Sequence, residues 1–319
     1  MGQDFPASRA EVKRRGSACP AGRFAYTASV AENPVSSAMS VVRDHSRSFA
    51  EFTFVYPVIS RRSRGLSLGV NLNPDKRCNF DCVYCEVDRR TPGRADRVDL
   101  PQLREELTAL IHAVQTGELA RTGKFRATPE LAGVIRDIAF SGDGEPTMVP
   151  NFAACVEAVA DVKRGEGLRA AKLVLITDAA GLDKADVRRG LTIMDANQGE
   201  VWAKLDAGTE AYFRLVNRSL VRFDRIVANL LATARERPII VQSLFLRVHG
   251  EAMPPAELAA YCDRLNALVA AGGRIKEVHA YTIARPTPEP WATKLEAGEL
   301  ETIAATIRER TGLPALTFA

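Results

Sequence analysis

Three cysteines, Cys78, Cys82 and Cys85, stand in C-x3-C-x2-C spacing inside the stretch NLNPDKRCNFDCVYCEVD, residues 71–88. They are half of the six cysteines in a chain of 319 residues. Thiolates so closely spaced let one loop wrap a compact inorganic core. Thiolate is the usual protein ligand of iron–sulfur clusters, and a cubane held wholly by protein takes four. Three with no fourth nearby leave one iron open, and an open metal position marks a reacting site rather than a structural one. Two other readings share these residues. Zinc normally takes four protein ligands at close spacing, which Asp81 or Cys19 would have to complete. Alternatively the cysteines cluster in a core, although Lys76, Asn79 and Asp81 make this a polar loop rather than an apolar stripe.

Further candidates follow at later points in the chain. SGDGEPT, residues 141–147, offers Gly142, Asp143, Gly144 and Glu145. Glycines let a backbone approach a ligand closely, and the glutamate can accept hydrogen bonds from an ammonium group. A bare glycine turn before Pro146 is the plainer account. Thr177 and Asp178 form a polar pair suited to a ribose or carboxylate, or simply to capping a helix. In WAKLDAGTE, Lys204 and Asp206 project to the same side of a strand by its two-residue period. They are read either as ligand contacts or as a structural ion pair, since unpaired buried charge is costly. Gln242, Arg247, His249, Tyr281, Thr282 and Arg285 are weaker candidates. Cys155 and Cys262 sit at helical spacing among apolar residues and read as packed hydrophobes.

The elements that must position these residues alternate regularly. Strands are expected near 66–72, 133–142, 171–178, 200–207, 238–248 and 275–284. Helices are expected over 100–114, 151–164, 184–194, 223–236, 257–271 and 298–312, with Asp99 capping the first. FAEFTFVYPVIS, residues 49–60, reads as one more short strand. Strands alternating with helices argue for βα units and a parallel sheet, rolled into a full or partial barrel by right-handed crossovers. In such barrels the reacting groups gather at the C-terminal ends of strands. The cysteine loop, SGDGEPT, Thr177–Asp178 and Lys204–Asp206 all fall there.

At the cysteine loop, with Tyr84 as the aromatic before the last cysteine, the sequence resembles the radical SAM superfamily. SGDGEPT resembles that superfamily's glycine-rich motif. The resemblance implies an α/β fold, a partial (βα)6 TIM-like barrel over residues 65–287, with an N-terminal extension (1–64) and a C-terminal helix and tail (288–319). It implies a [4Fe–4S] cluster on Cys78, Cys82 and Cys85, with S-adenosylmethionine chelating the fourth iron. Tyr84, Gly142, Asp143, Gly144, Glu145, Thr177, Lys204 and Asp206 would surround the cofactor. It further implies reductive cleavage of S-adenosylmethionine to a 5′-deoxyadenosyl radical that abstracts hydrogen from a substrate. The electron would come from an external donor such as flavodoxin or ferredoxin.

Within the superfamily, KLDA and YTIARP add a resemblance to wyosine-synthesising tRNA enzymes. Those carry further N-terminal cysteines, where this chain has only Cys19. Substrates in view are a tRNA nucleotide, a peptide or protein side chain, or a small metabolite. A non-catalytic iron–sulfur or zinc module is the alternative of another class.

Composition excludes several classes. Hydrophobic residues at 46% and charged at 26% are ordinary for a globular chain. No apolar run reaches the roughly 18 residues that a membrane span needs, and no apolar segment follows the basic residues near the N-terminus. Too few cysteines for a disulfide framework, and an oxygen-sensitive cluster, fit a reducing cytoplasm. Residues 1–64 hold ten basic and five acidic side chains, a net of +5 against +4 for the whole chain. That basic arm, including RRSR at 61–64, either meets a phosphate-bearing partner or is a solvated tail.

Overall fold

In a computed structural model the chain divides into two units, residues 1–33 and 34–319. The structure describes residues 49–319, all within the second. Most of the N-terminal arm, with Cys19, lies outside the described residues.

The strands are β1 (Val55–Ser60), β2 (Gly65–Val70), β3 (Ile135–Phe140), β4 (Lys172–Thr177), β5 (Gly199–Lys204), β6 (Ile239–Leu244), β7 (Arg247–Val248), β8 (Ile275–Tyr281), β9 (Ala292–Thr293) and β10 (Ala315–Phe318). The helices are α1 (Leu100–Gln115), α2 (Pro129–Ala132), α3 (Phe152–Gly165), α4 (Ala185–Asp195), α5 (Glu210–Asn217), α6 (Phe223–Glu236), α7 (Pro255–Ala270) and α8 (Ala297–Thr311). Eight strands form one sheet in the order β1-β2-β3-β4-β5-β6-β8-β10, and β7 pairs with β9 apart from it. β1 and β2 are antiparallel; every later pair in the large sheet is parallel. Because each strand lies beside its predecessor, helix after helix packs on one face, and the sheet curls into a half-barrel. Thus the expected α/β partial barrel is present, and strands β1 and β10 add to it on either side of residues 65–287.

Period two explains the layering. Leu66, Leu68 and Val70 are wholly buried toward the helices, where each apolar side chain contributes roughly 1.5–3 kcal/mol. The opposite, concave face carries a small cluster of Ala139, Val174, Trp202 and Ile240. Phe318 of β10 and Val58 of β1 line the same hollow from its two edges.

Two buried carboxylates fasten segments that sequence periodicity leaves loose. Glu106 of α1 accepts backbone N–H bonds from Thr53, Phe54 and Val55 at 2.9, 2.7 and 3.1 Å. This ties the entry to β1 onto the first helix. Glu257 of α7 accepts from Gly208 and Thr209 at 2.6 and 3.0 Å, fixing the turn into α5. Asp99 caps α1 through Gln102 N at 2.9 Å, as its position suggested. Cys155 and Cys262 are fully buried in the core.

Candidate functional site

The cysteine loop leaves the C-terminal end of β2 and is clamped from both sides. Asn71 anchors its start: Oδ1 accepts from Asn73 N and Asp143 N, both at 3.1 Å, and Nδ2 donates to Asp143 Oδ2 at 2.8 Å. The C-terminus of α5 holds the middle, where Asp81 N and Val83 N donate to the carbonyls of Asn217 and Val216 at 3.1 and 3.0 Å. Helix α5 orders its own start with Thr209, whose hydroxyl accepts from Tyr212 N. Phe80 then packs edge-on against Phe213 at 5.4 Å.

Cys82 is buried and Cys78 and Cys85 are half-buried. Each sulfur accepts a hydrogen bond from the described residues. The donors are Phe80 N to Cys78 at 3.5 Å, Asn217 Nδ2 to Cys82 at 3.4 Å and Arg89 Nη2 to Cys85 at 3.6 Å. Burial pushes the Cys78 thiol up to about 12, with Asp178 adding to it. Burial also raises Cys82, against the opposing pull of Lys204. Such thiols become thiolates only against a metal, which deprotonates a coordinating thiol outright. Among the described residues, no three His, Cys, Asp or Glu side chains converge on a point where a single ion could sit. A cubane instead spreads its thiolates over different irons. Three separated sulfurs, each with an N–H donor and all on one cavity wall, fit that donor set.

That cavity, of about 330 Å³, lies on the concave side of the sheet. All three cysteines line it, with Tyr84, Gly142, Asp143, Gly144, Glu145, Thr177, Asp178 and Lys204. The sequence candidates therefore come together, except that Asp206 lies behind the wall. Arg247 pairs with Glu299, and His249 stacks on Trp291 at 4.6 Å; neither lines the cavity. Gln242, Tyr281, Thr282 and Arg285 do.

The glycines of the glycine-rich loop bring it against the cysteine loop. A Cβ at Gly142 would come within 2.2 Å of Asn71 Oδ1, and one at Gly144 within 1.9 Å of the Arg77 carbonyl oxygen. These glycines let the loop nest against the cysteine loop, an arrangement that Glu145 N seals by donating to Arg77 O at 3.1 Å. The Glu145 carboxylate is buried and engaged by four protein donors. Oε1 accepts from Thr147 N, Thr147 Oγ1 and Thr177 Oγ1 at 3.0, 2.6 and 2.6 Å, and Oε2 from Asp178 N at 2.7 Å.

Its neighbour Asp178 is the acceptor left over. Asp178 Oδ1 takes Ala180 N at 2.8 Å, but the buried Oδ2 has no partner among the described residues. Burial first, then the charge of Glu145, holds the Asp178 carboxyl well above the usual range. The sequence offered Asp178, with Thr177, either as a contact for a ribose or carboxylate or as a helix cap. Its only signal was an acid directly after a strand-end hydroxyl.

Lys204 and Asp206 meet through Tyr84. Lys204 Nζ donates to Tyr84 Oη at 2.7 Å, and Tyr84 Oη donates to Asp206 Oδ2. Lys204 Nζ lies 3.7 Å from that oxygen, and Asn217 Nδ2 donates to it at 2.7 Å. Leu244 N binds Asp206 Oδ1 at 2.9 Å. Burial works against the Lys204 charge, but Cys82 and Asp206 outweigh it and hold the ammonium well above its ordinary value. Asn217, on a helix that sequence periodicity did not reveal, thus connects the middle cysteine to this network.

Fold and site together define a half-barrel of βα units with a thiol-lined cavity at the C-terminal ends of its strands. No family model matches the chain. It is 25% identical over 249 residues to a UPF0026 protein of Helicobacter pylori, covering 76% of this chain and 70% of that protein. It is 30% identical over 179 residues to a UPF0026 protein of Methanocaldococcus jannaschii, covering 55% of this chain and about half, 48%, of that one. A solved structure of TYW1 with a lysine–pyruvate adduct bound is similar at a TM-score of 0.49 and 16% identity, over 77% of this chain and 74% of that one. Among the described residues, no helix is long and apolar enough to cross a membrane.

Proposed function

We propose that this chain is a radical SAM enzyme, with one [4Fe–4S] cluster on Cys78, Cys82 and Cys85 and S-adenosylmethionine in the adjoining cavity. The observation that carries the reading is the shared wall: three hydrogen-bonded cysteine sulfurs beside an acidic loop whose glycines are needed to press it there. When bound and reduced by a flavodoxin- or ferredoxin-like donor, the cluster would supply an electron that cleaves the sulfonium to methionine and a 5′-deoxyadenosyl radical.

The chain's own residues bind, orient and insulate. Phe80 N, Asn217 and Arg89 direct N–H groups at the sulfurs, which offsets their charge and tunes the potential. Asp178 Oδ2, without a partner among the described residues, would meet a polar group of the ligand's amino-acid end, while Glu145 holds the Asp178 backbone and Thr177 in place for it. Lys204, fixed by Tyr84 and Asp206, presents a cation to the cavity between the thiol wall and its floor.

Anaerobic reconstitution tests the metal assignment. About four irons per chain are expected, lost on Ala substitution of Cys78, Cys82 or Cys85 and retained on substitution of Cys155 or Cys262. A tightly bound zinc in place of iron, or iron that survives the loop substitutions, would overturn it.

A further inference from the structure

The floor of the cavity carries a cation that the chemistry above does not use. Arg62 leaves the turn between β1 and β2 and lays its guanidinium over the Trp202 ring, 4.7 Å from the centroid, and near the Tyr281 ring at 5.3 Å. Its Nη1 donates to Gln242 Oε1 at 2.6 Å, and Gln242 is oriented in turn by donating from Nε2 to the Trp202 carbonyl at 3.0 Å. A guanidinium has five N–H donors and no acceptor. Among the described residues, Arg62 makes this single hydrogen bond and no ion pair.

Asp137 acts on Arg62 electrostatically but makes no ion pair with it among the described residues. Asp137 accepts from Ser67 Oγ at 2.5 Å, and burial raises its carboxyl against the lowering pull of its serine hydrogen bonds and of Arg62 itself. His279 binds Glu277 at 2.8 Å, and burial lowers it from its ordinary value. Arg61 is a second cation nearby and Tyr281 an un-ionised phenol. A charge drawn out of water is costly unless a counter-charge meets it.

We infer that Arg62 seats an anionic group, a carboxylate or a phosphate, of a small-molecule substrate bound at the floor of this cavity. The planar fork matches paired oxygens of either group. Trp202 and Tyr281 hold it by cation–π contact and leave a flat apolar wall beside it. The cavity's volume is that of a small-ligand pocket, and Arg62 lines it. The RRSR stretch is thus split in role: Arg62 turns inward, away from any external partner. The inference rests on the proposed reading only in taking this cavity as the reaction chamber; the anion needs no cluster to bind.

The test uses the full chain with Trp291→Phe, which leaves Trp202 as the one indole, titrated separately with acetate and with inorganic phosphate at constant ionic strength. A saturable change in Trp202 emission is expected with at least one anion, and the stronger one identifies the group. Arg62→Gln should weaken it by about ten-fold or more, and Arg62→Lys by less. Gln242→Glu, which places a built-in carboxylate against Arg62, should abolish the response. No saturable response to either anion, or equal affinity in Arg62→Gln, overturns the inference. Iron content of these variants stays at the wild-type value if the cluster reading holds, so the two claims fail separately.

Discussion

Glu145 and Asp178 adjoin each other at the cavity wall, and replacing them one at a time separates scaffold from ligand contact. Glu145→Ala strands four donors: Thr147 N, Thr147 Oγ1, Thr177 Oγ1 and Asp178 N. An unsatisfied buried donor costs about 1–3 kcal/mol. If water and hydroxyl rotation restore half of them, roughly 2–6 kcal/mol of stability is lost. At this chain length about 2 °C is lost per kcal/mol, so the melting temperature falls by roughly 4–12 °C. Asp178→Asn behaves in the opposite way. The bond from Ala180 N is kept, and a carboxyl that burial and the charge of Glu145 hold well above its usual range is replaced by an amide. Melting is therefore unchanged or higher, whereas S-adenosylmethionine binding to the reconstituted protein loses about 1–3 kcal/mol, roughly 5- to 150-fold. Differential scanning fluorimetry and equilibrium dialysis read the two effects. A Glu145→Ala variant that melts like the wild type refutes the reasoning, and so does an Asp178→Asn variant with full affinity.

Asn217→Ala removes the donor to Cys82 Sγ and Asp206 Oδ2; the cluster potential should move downward in a redox titration followed by electron paramagnetic resonance, with iron content near wild type. Asp137 has its folded-state pKa raised by burial, so its stabilising contribution is complete below its unfolded value and disappears as pH rises through the folded one. Asp137→Asn should accordingly gain melting temperature relative to wild type as pH rises from about 4 to 7; a difference that does not change over that range contradicts it. Glu106→Ala, which frees the three backbone N–H groups entering β1, should cost roughly 2–4 kcal/mol in denaturant melts. A cost below about 1 kcal/mol would show that β1 is held by packing alone.

The barrel was legible because its segments are locally consistent. Each strand is a short, largely apolar run between polar turns, and each long helix carries an apolar stripe, so all six expected strands and six expected helices occur close to their expected bounds. The cysteine and glycine-rich loops were legible as composition. What sequence left hidden depends on contacts far apart along the chain. Helix α5 spans only Glu210–Asn217, too short for a period to stand out, yet it supplies the donor to Cys82. Gly142 and Gly144 signalled a close approach without revealing that the approaching partner is residues 71–77. Which of two adjacent acids keeps a free oxygen was decided by Thr147, Thr177 and the Asp178 backbone around Glu145. Arg62 looked like part of a surface patch because a tight turn before β2, which carries Arg64 at φ 54°, is what lets it point into the barrel.

The central claim is that the three cysteines and their cavity cleave S-adenosylmethionine reductively. Reconstituted protein reduced with dithionite and given S-adenosylmethionine should release methionine and 5′-deoxyadenosine in equal amounts, and Cys78→Ala, Cys82→Ala or Cys85→Ala should release neither. A reduced protein with a full complement of iron that binds S-adenosylmethionine but yields no 5′-deoxyadenosine would contradict the account and leave an iron–sulfur binding module in its place.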